Sequence, residues 1–293
     1  MEPVPSKLTK TYPARGPLQQ FRFAEATAFR CFRCGETKKA KLISIYGGDW
    51  SRRLCNGCYG RLLSLYDIKT GLIPDDQKAD ALGYALLSAV AVDDRRNAER
   101  LLLASEQRAS LLPVDVMRFL ATAEYVAGTL LSDPQLEWSP PVIGLCKAVE
   151  AEIVARILRP LAMRVPAKEL ADDRADKDVG RIASFSADQT RKPPELGVFA
   201  HFLQTAIHSQ HRRENSVLIR SFLELLREWA GSSWLLDPNG LHHQLVLLTT
   251  NFRNRAAHID ELSKADYDDC RVLVIGTNGL LWTLLTATEE RRR

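Results

Sequence analysis

Four cysteines stand as two C-x-x-C pairs, Cys31 with Cys34 and Cys55 with Cys58, with twenty residues between the pairs. Each pair lets two sulfurs reach one ion from a single tight turn, and four thiolates are a standard ligand set for structural zinc. Gly35 follows the first pair and Gly57 lies inside the second, where backbone must bend around a metal. A thioredoxin-type dithiol would need one pair in a βαβ setting, and neither condition is met. A module of this size rarely folds on its own core, whereas zinc supplies about 10–16 kcal/mol to finger peptides. The expected cofactor is therefore one structural Zn2+ on Cys31, Cys34, Cys55 and Cys58.

A second segment dense in donors runs Asn251-Phe252-Arg253-Asn254-Arg255-Ala256-Ala257-His258. His201, His208, His211, His242 and His243 read as surface or capping residues. His258 differs because two alanines precede it, which lets another helix approach closely. Asn254 lies four residues before His258, on the same helical face. Arg253 lies five before it, and five residues at about 100° each leave two side chains roughly 140° apart on a straight helix. Either the helix is irregular there, or the site is composite across a two-fold dimer, with each segment against its copy.

The elements that would position these residues follow from periodicity and charge. Hydrophobic content is 45% and charged content 26%, ordinary for a globular chain of 293 residues. Residues 1–70 hold 13 Lys/Arg against 5 Asp/Glu, while the remainder is slightly acidic. Clustered basic charge is an electrostatic footprint for phosphate backbones, and also the mark of a solvated basic tail. Arg33, Lys38, Lys39, Lys41, Arg52, Arg53 and Arg61, interleaved with Tyr46, Trp50 and Tyr59, would suit a nucleic-acid surface. The start of the chain has no apolar leader segment, and paired cysteines point to a reducing, cytoplasmic setting. Ala81–Val92 and Val272–Thr288 are uncharged but too short or too interrupted for the ~20 residues of a membrane span. Both read as buried helices, and no membrane is expected.

Residues 1–27, with Pro3, Pro5, Pro13 and Pro17, read as a flexible basic arm, and 28–70 as the zinc module. From about 75 the pattern is helical. Val116, Phe119, Leu120, Ala123, Val126, Ala127 and Leu130 form one buried stripe, and Val142, Leu145, Cys146, Val149, Ile153 and Ile157 another. Ser139 with Pro140 marks a helix start, and Ser263 with Asp266 a capping box. Residues 166–195 are polar and end in Pro193-Pro194, which predicts a long mobile loop or irregular insertion. A helix is expected from about Leu241 to Ile259 and a last one to about Glu290. The fold expectation is mainly α: a connecting region over 72–134 and a helical bundle over 135–293, preceded by the small zinc-stapled module.

Two resemblances add to this reading. The segment Leu54-Cys55-Asn56-Gly57-Cys58 resembles the second cysteine pair of GATA-like and other treble-clef zinc fingers, in which that pair sits at a helix N-terminus. Such modules bind DNA, RNA or protein, or brace a neighbouring domain. The R-N-x-x-x-H segment resembles the R-x4–6-H motif of the HEPN superfamily, and the stretch LCKAVEAE, residues 145–152, resembles an early helix of its bacterial members, with Glu150 or Glu152 as a supporting polar neighbour. The resemblance covers about residues 135–293. It implies a HEPN-like bundle that acts as a homodimeric, metal-independent endoribonuclease, in settings such as phage defence, toxin–antitoxin pairs or RNA processing. RNA carries its own nucleophile, the 2′-OH. His258 would exchange a proton with it or with the leaving 5′-oxygen, a role that contributes about 10²–10⁴-fold. Arg253 would hold the charged phosphoryl oxygens, and Asn254 would orient the imidazole or hold a phosphate. The products would be a 2′,3′-cyclic phosphate and a 5′-OH. Some members of the superfamily are non-catalytic nucleotide-binding or scaffold domains, and the GATA-like segment also fits a DNA-binding regulator with a helical dimerisation domain.

Overall fold

The computed structural model describes residues 7–33, 35–71, 74–131, 137–258 and 261–290, without the side chains of Arg61, Asp75, Asp76 and Ala89. The protein is mostly helical, with one small antiparallel sheet at its N-terminal end. Strands β1 (Leu8–Thr11), β2 (Leu18–Arg30), β3 (Thr37–Tyr46) and β4 (Asp49–Leu54) form a meander in sequence order. Helices follow: α1 (Asn56–Thr70), α2 (Asp75–Ala89), α3 (Val92–Ser105), α4 (Val114–Leu130), α5 (Ser139–Ile153), α6 (Arg159–Arg164), α7 (Ala171–Ala175) and α8 (Gly180–Ala187). After them come α9 (Leu196–His208), α10 (Gln210–Asn215), α11 (Val217–Arg227), α12 (Ser232–Leu236), α13 (Leu241–Leu247), α14 (Asn254–Ala257), α15 (Lys264–Ile275) and α16 (Leu280–Ala287).

The described part of the N-terminal segment is not a loose arm. Residues 8–11 and 18–30 are strands, because alternating Phe21 and Phe23 pack with Phe29, Ile43 and Ile45 into a small core of their own. The turn before β2 also leans on α1: Arg15 donates to Asp67 at 2.8 Å, and Gly16 (φ +55°) lies so close to the Tyr66 ring that a Cβ there would stand 2.2 Å from it. Gly47 and Gly48, at φ +62° and +74°, make the tight turn that folds β3 onto β4. The other face of the sheet, with Leu18, Tyr46 and Leu54, joins the core of the helical body.

That core is built around α4 and α5, whose two apolar stripes face each other. α5 begins at Ser139, but Ser139 is not its cap. The Glu137 carboxylate accepts the Ser139 N–H at 2.8 Å, and the Ser139 hydroxyl instead accepts from Lys69 at 3.4 Å, tying α1 to α5. The capping box at Ser263 and Asp266 is present. Residues 166–195 are not an extended loop. Leu170, Val179, Ile182, Ala183 and Phe185 are buried, and Asp173 accepts the Leu218 N–H at 2.9 Å, so a 3₁₀ turn, α7 and α8 fold against the bundle. The last helix is interrupted: Gly276–Gly279 separate α15 from α16. The stretch Lys264–Ala287 has the length and apolarity of a membrane span, but half of its apolar window is buried within the bundle.

Candidate functional site

The cysteine site is assembled by the end of β2, the end of β4 and the start of α1. Cys31 follows β2 and opens a tight turn: Gly35, at φ +69°, donates its N–H to the Cys31 carbonyl at 2.9 Å, and the Cys31 N–H reaches the Glu36 carbonyl at 2.8 Å. Cys55 is the N-cap of α1, with Cys58 in the first helical turn. The Cys55 N–H points at the Cys31 sulfur at 3.3 Å. The sulfurs of Cys31, Cys55 and Cys58 all lie within 4.8 Å of one another. Four sulfurs at about 2.3 Å around one ion stand about 3.8 Å apart, so this triad can hold a metal ion. Hydrogen bonding to Cys31, together with burial, pushes the Cys58 thiol well above its ordinary range. A divalent cation is the charge that would reverse this at the Cys58 sulfur. Cys34 lies outside the described residues.

Around this knuckle, Lys38, Lys39 and Lys41 are exposed on β3, while Arg33, Arg52 and Arg53 are half-buried. Lys38 pairs with Glu36, and the Arg52 guanidinium lies 5.7 Å from the centre of the Phe32 ring. The side chain of Arg61 lies outside the described ones. Arg33, Lys38, Lys39 and Arg53 line a groove of about 1560 Å3 between the knuckle and the faces of α2 and α4. Of the three interleaved aromatics, Tyr46 is buried in the core and Tyr59 is half-buried, so neither offers an open ring face. Trp50 is 47% exposed and rests on Phe21, ring centres 4.6 Å apart.

The second site begins at α13. Its helix widens into a π-helical stretch over Leu248–Arg253, tightens into α14, and ends where His258 adopts an extended conformation (φ −92°, ψ −172°). The irregularity foreseen as one alternative for Arg253 and His258 is therefore present in the chain itself. Arg253 is buried. Its guanidinium donates to Glu195 at 3.2 Å and to the Asn254 side-chain oxygen at 3.2 Å. His258 is half-buried, and its N–H donates to the Asn254 carbonyl at 3.0 Å. The small residues between them let other helices approach closely, and the helices that do so belong to the same chain. Ala256 and Ala257 are buried within this chain, where α14 packs on α2 and α5.

Glu195 belongs to a charged chain, buried except for Lys192, that the sequence did not announce. Lys147 donates to Asp80 at 2.6 Å and to Glu150; Lys192 pairs with Asp80 and, at 3.1 Å, with Glu195. With Arg253, three cations face three carboxylates, so the cluster is balanced. Balance matters because an uncompensated buried charge costs several kcal/mol. Burial works against the Asp80 charge, but Lys147 and Lys192 outweigh it and hold its carboxyl below the usual range. At Glu150 burial dominates over Lys147 and Arg253 and pushes its carboxyl up. Burial opposes the Lys147 charge as well, but Glu150 and Asp80 outweigh it and raise the ammonium's pKa. Of the two glutamates expected to support the motif, Glu150 joins this network and Glu152 does not. Glu152 pairs with Arg156, which reaches away to the Leu111 carbonyl at 3.0 Å.

The local hints of the network were the i,i+3 spacings of Lys147 with Glu150 and of Lys192 with Glu195. Asp80 and the Lys192–Glu195 segment lie far from Arg253 in the chain, and no pattern around them points to it. Comparison with family models, with curated proteins and with solved structures returned no match.

Proposed function

We propose that the protein is a metal-independent endoribonuclease whose chemistry rests on Arg253, Asn254 and His258, with a zinc-stapled N-terminal module that grips RNA or a protein partner. The observation that carries the reading is the preorganised Arg253, fixed by Glu195 and Asn254, one turn before a histidine at the open end of its helix. A guanidinium already oriented loses little freedom when it meets an anionic phosphoryl group. His258 supplies the proton transfer, and the 2′-OH of the substrate supplies the nucleophile. The HEPN-like resemblance of the motif supports the same assignment and implies a homodimer. Zinc is the metal that suits three or more thiolates, with Cys34 as the fourth ligand. Its role is to brace the sheet against α1.

A second reading has specific support. An arginine held by a buried carboxylate is also what a purely structural ion pair looks like, and that favours a non-catalytic scaffold. The experiment that separates the two is cleavage of a mixed RNA pool in EDTA. Wild-type protein should cut, and His258→Ala should lose at least about 10²-fold in rate with its circular dichroism unchanged. Equal cleavage by both proteins, or none by either, would remove the catalytic assignment and leave the scaffold. Sedimentation at micromolar concentration should give a dimer.

A further inference from the structure

The N-terminal sheet leaves part of one edge unpaired. β4 runs beside β3 only from Ser44 to Tyr46, because the chain turns into α1 at Cys55. β3 begins at Thr37, so its first half has β2 on one side and no strand on the other among the described residues. The hydrogen-bond pattern says which groups lie open. The Cys31 N–H donates to the Glu36 carbonyl at 2.8 Å. Backbone direction alternates along a strand, so Glu36, Lys38 and Ala40 turn toward β2, while Thr37 and Lys39 turn their N–H and C=O groups to the open edge. Neither Thr37 nor Lys39 has a partner on that side among the described residues.

The side chains along this edge are basic. Thr37, Lys38, Lys39 and Lys41 are all exposed. Lys38 pairs with Glu36, but Lys39 and Lys41 have no carboxylate partner among the described residues. The groove that this edge borders is lined by five Lys or Arg residues against Glu36 and Asp94. Edge lysines discourage indiscriminate strand pairing. They do so selectively: a basic strand is repelled, a neutral one gains nothing from them, and one with carboxylates at matching places is favoured.

We propose that the open edge of β3 takes up an extended acidic segment of a partner protein as an added strand. Protein is favoured over nucleic acid by the backbone. Thr37 and Lys39 offer both donors and acceptors at strand spacing, and a peptide main chain matches both, whereas phosphates bring acceptors only. The open stretch is about five residues long, an ordinary strand length. In an antiparallel pair, the residue opposite Lys39 shares its hydrogen-bonded pair and its face, so a glutamate there would meet the Lys39 ammonium. The proposal rests on the docking role given to the N-terminal module, and not on Arg253 or His258.

The test is fluorescence polarisation of a short labelled peptide of alternating glutamate and valine, added to the full chain. It should bind, and Lys39→Glu with Lys41→Glu should weaken it about tenfold or more. Both positions are exposed, so circular dichroism and metal content should stay as in the wild type. Arg159→Glu with Lys177→Glu, exposed on the helical body, should leave binding unchanged. Two N-methylated peptides test the pairing with the protein unaltered, one methylated at its glutamates and one at its valines. Loss of binding confined to one of them supports an added strand, and antiparallel pairing makes it the glutamate set. Absence of peptide binding up to millimolar concentration overturns the proposal. So does equal binding of both methylated peptides, which would reduce the interaction to charge attraction. Binding of an oligouridylate that the same charge reversal weakens, with no peptide binding, would assign the edge to RNA instead. His258→Ala should bind the peptide as the wild type does, so loss of cleavage and loss of docking are separate results.

Discussion

Replacing Glu195 by Ala should destabilise the protein mainly through what it does to Arg253. Both partners of this pair are more than nine-tenths buried, and their bond is 3.2 Å long. Removing one member of a buried pair typically costs about 3–5 kcal/mol, because the other charge is left without its partner. Arg253 would keep its bond to Asn254 and the field of Glu150, so the lower end, about 3 kcal/mol, is the expected loss. Lys192, which also pairs with Glu195, is half-exposed and keeps Asp80, so it adds little. For a chain of this length 1 kcal/mol is about 2 °C, giving a fall in Tm of about 6 °C. The decisive comparison is a cycle of Glu195→Ala, Arg253→Met and the double variant, each unfolded in urea. If the cost of the single change is an orphaned charge, the double variant should recover most of it. Strict additivity, within about 0.5 kcal/mol, would refute the reasoning, because it would mean the two side chains do not depend on each other.

Two further outcomes follow from the same geometry. Protein as purified should carry one zinc per chain by metal analysis; Cys58→Ser should lower that stoichiometry, and chelation should shift the emission of Trp50, which sits on the sheet that the site staples. The carboxylates of Asp80 and Glu150 should respond to pH in opposite directions. Asp80 has a lowered pKa, so its contribution is present above the ordinary value near 3.9 and lost as pH falls through its folded value; Asp80→Asn should cost most near pH 7 and progressively less in acid. Glu150 has a raised pKa, so its contribution is present below the ordinary value near 4.3 and lost as pH rises through its folded value; Glu150→Gln should become relatively more stable over that rise. Urea unfolding from about pH 2 to 7 reads both, and parallel curves for the two variants would contradict the assignment.

What the sequence disclosed, and what it hid, divides by the range of the interactions involved. The cysteine pairs were legible because each is a local device: a tight turn at Cys31, and a helix N-terminus at Cys55 and Cys58, each encoded within a few residues. The stripes of α4 and α5 were legible for the same reason, since a helix repeats its buried face every turn. The segment before Cys31 reads as an arm because its prolines interrupt the pattern, whereas the alternation of Phe21 and Phe23 makes a strand only with partners that its own residues do not name. The Pro193-Pro194 end of the polar stretch looked like loop, yet it delivers Glu195 to the start of α9. The Arg253 network failed to show for a physical reason. A buried charge must be balanced, but any carboxylate that the fold can bring near will do, and Glu195 and Asp80 lie 58 and 173 positions away. Sequence spacing can nominate the arginine; only packing chooses its partner. That choice bears on function directly. If the partner holds Arg253 in a phosphate-ready geometry, Glu195→Gln should slow RNA cleavage while leaving RNA affinity nearly unchanged. If the pair merely fills the core, the same change should lower stability and leave the rate per folded molecule untouched.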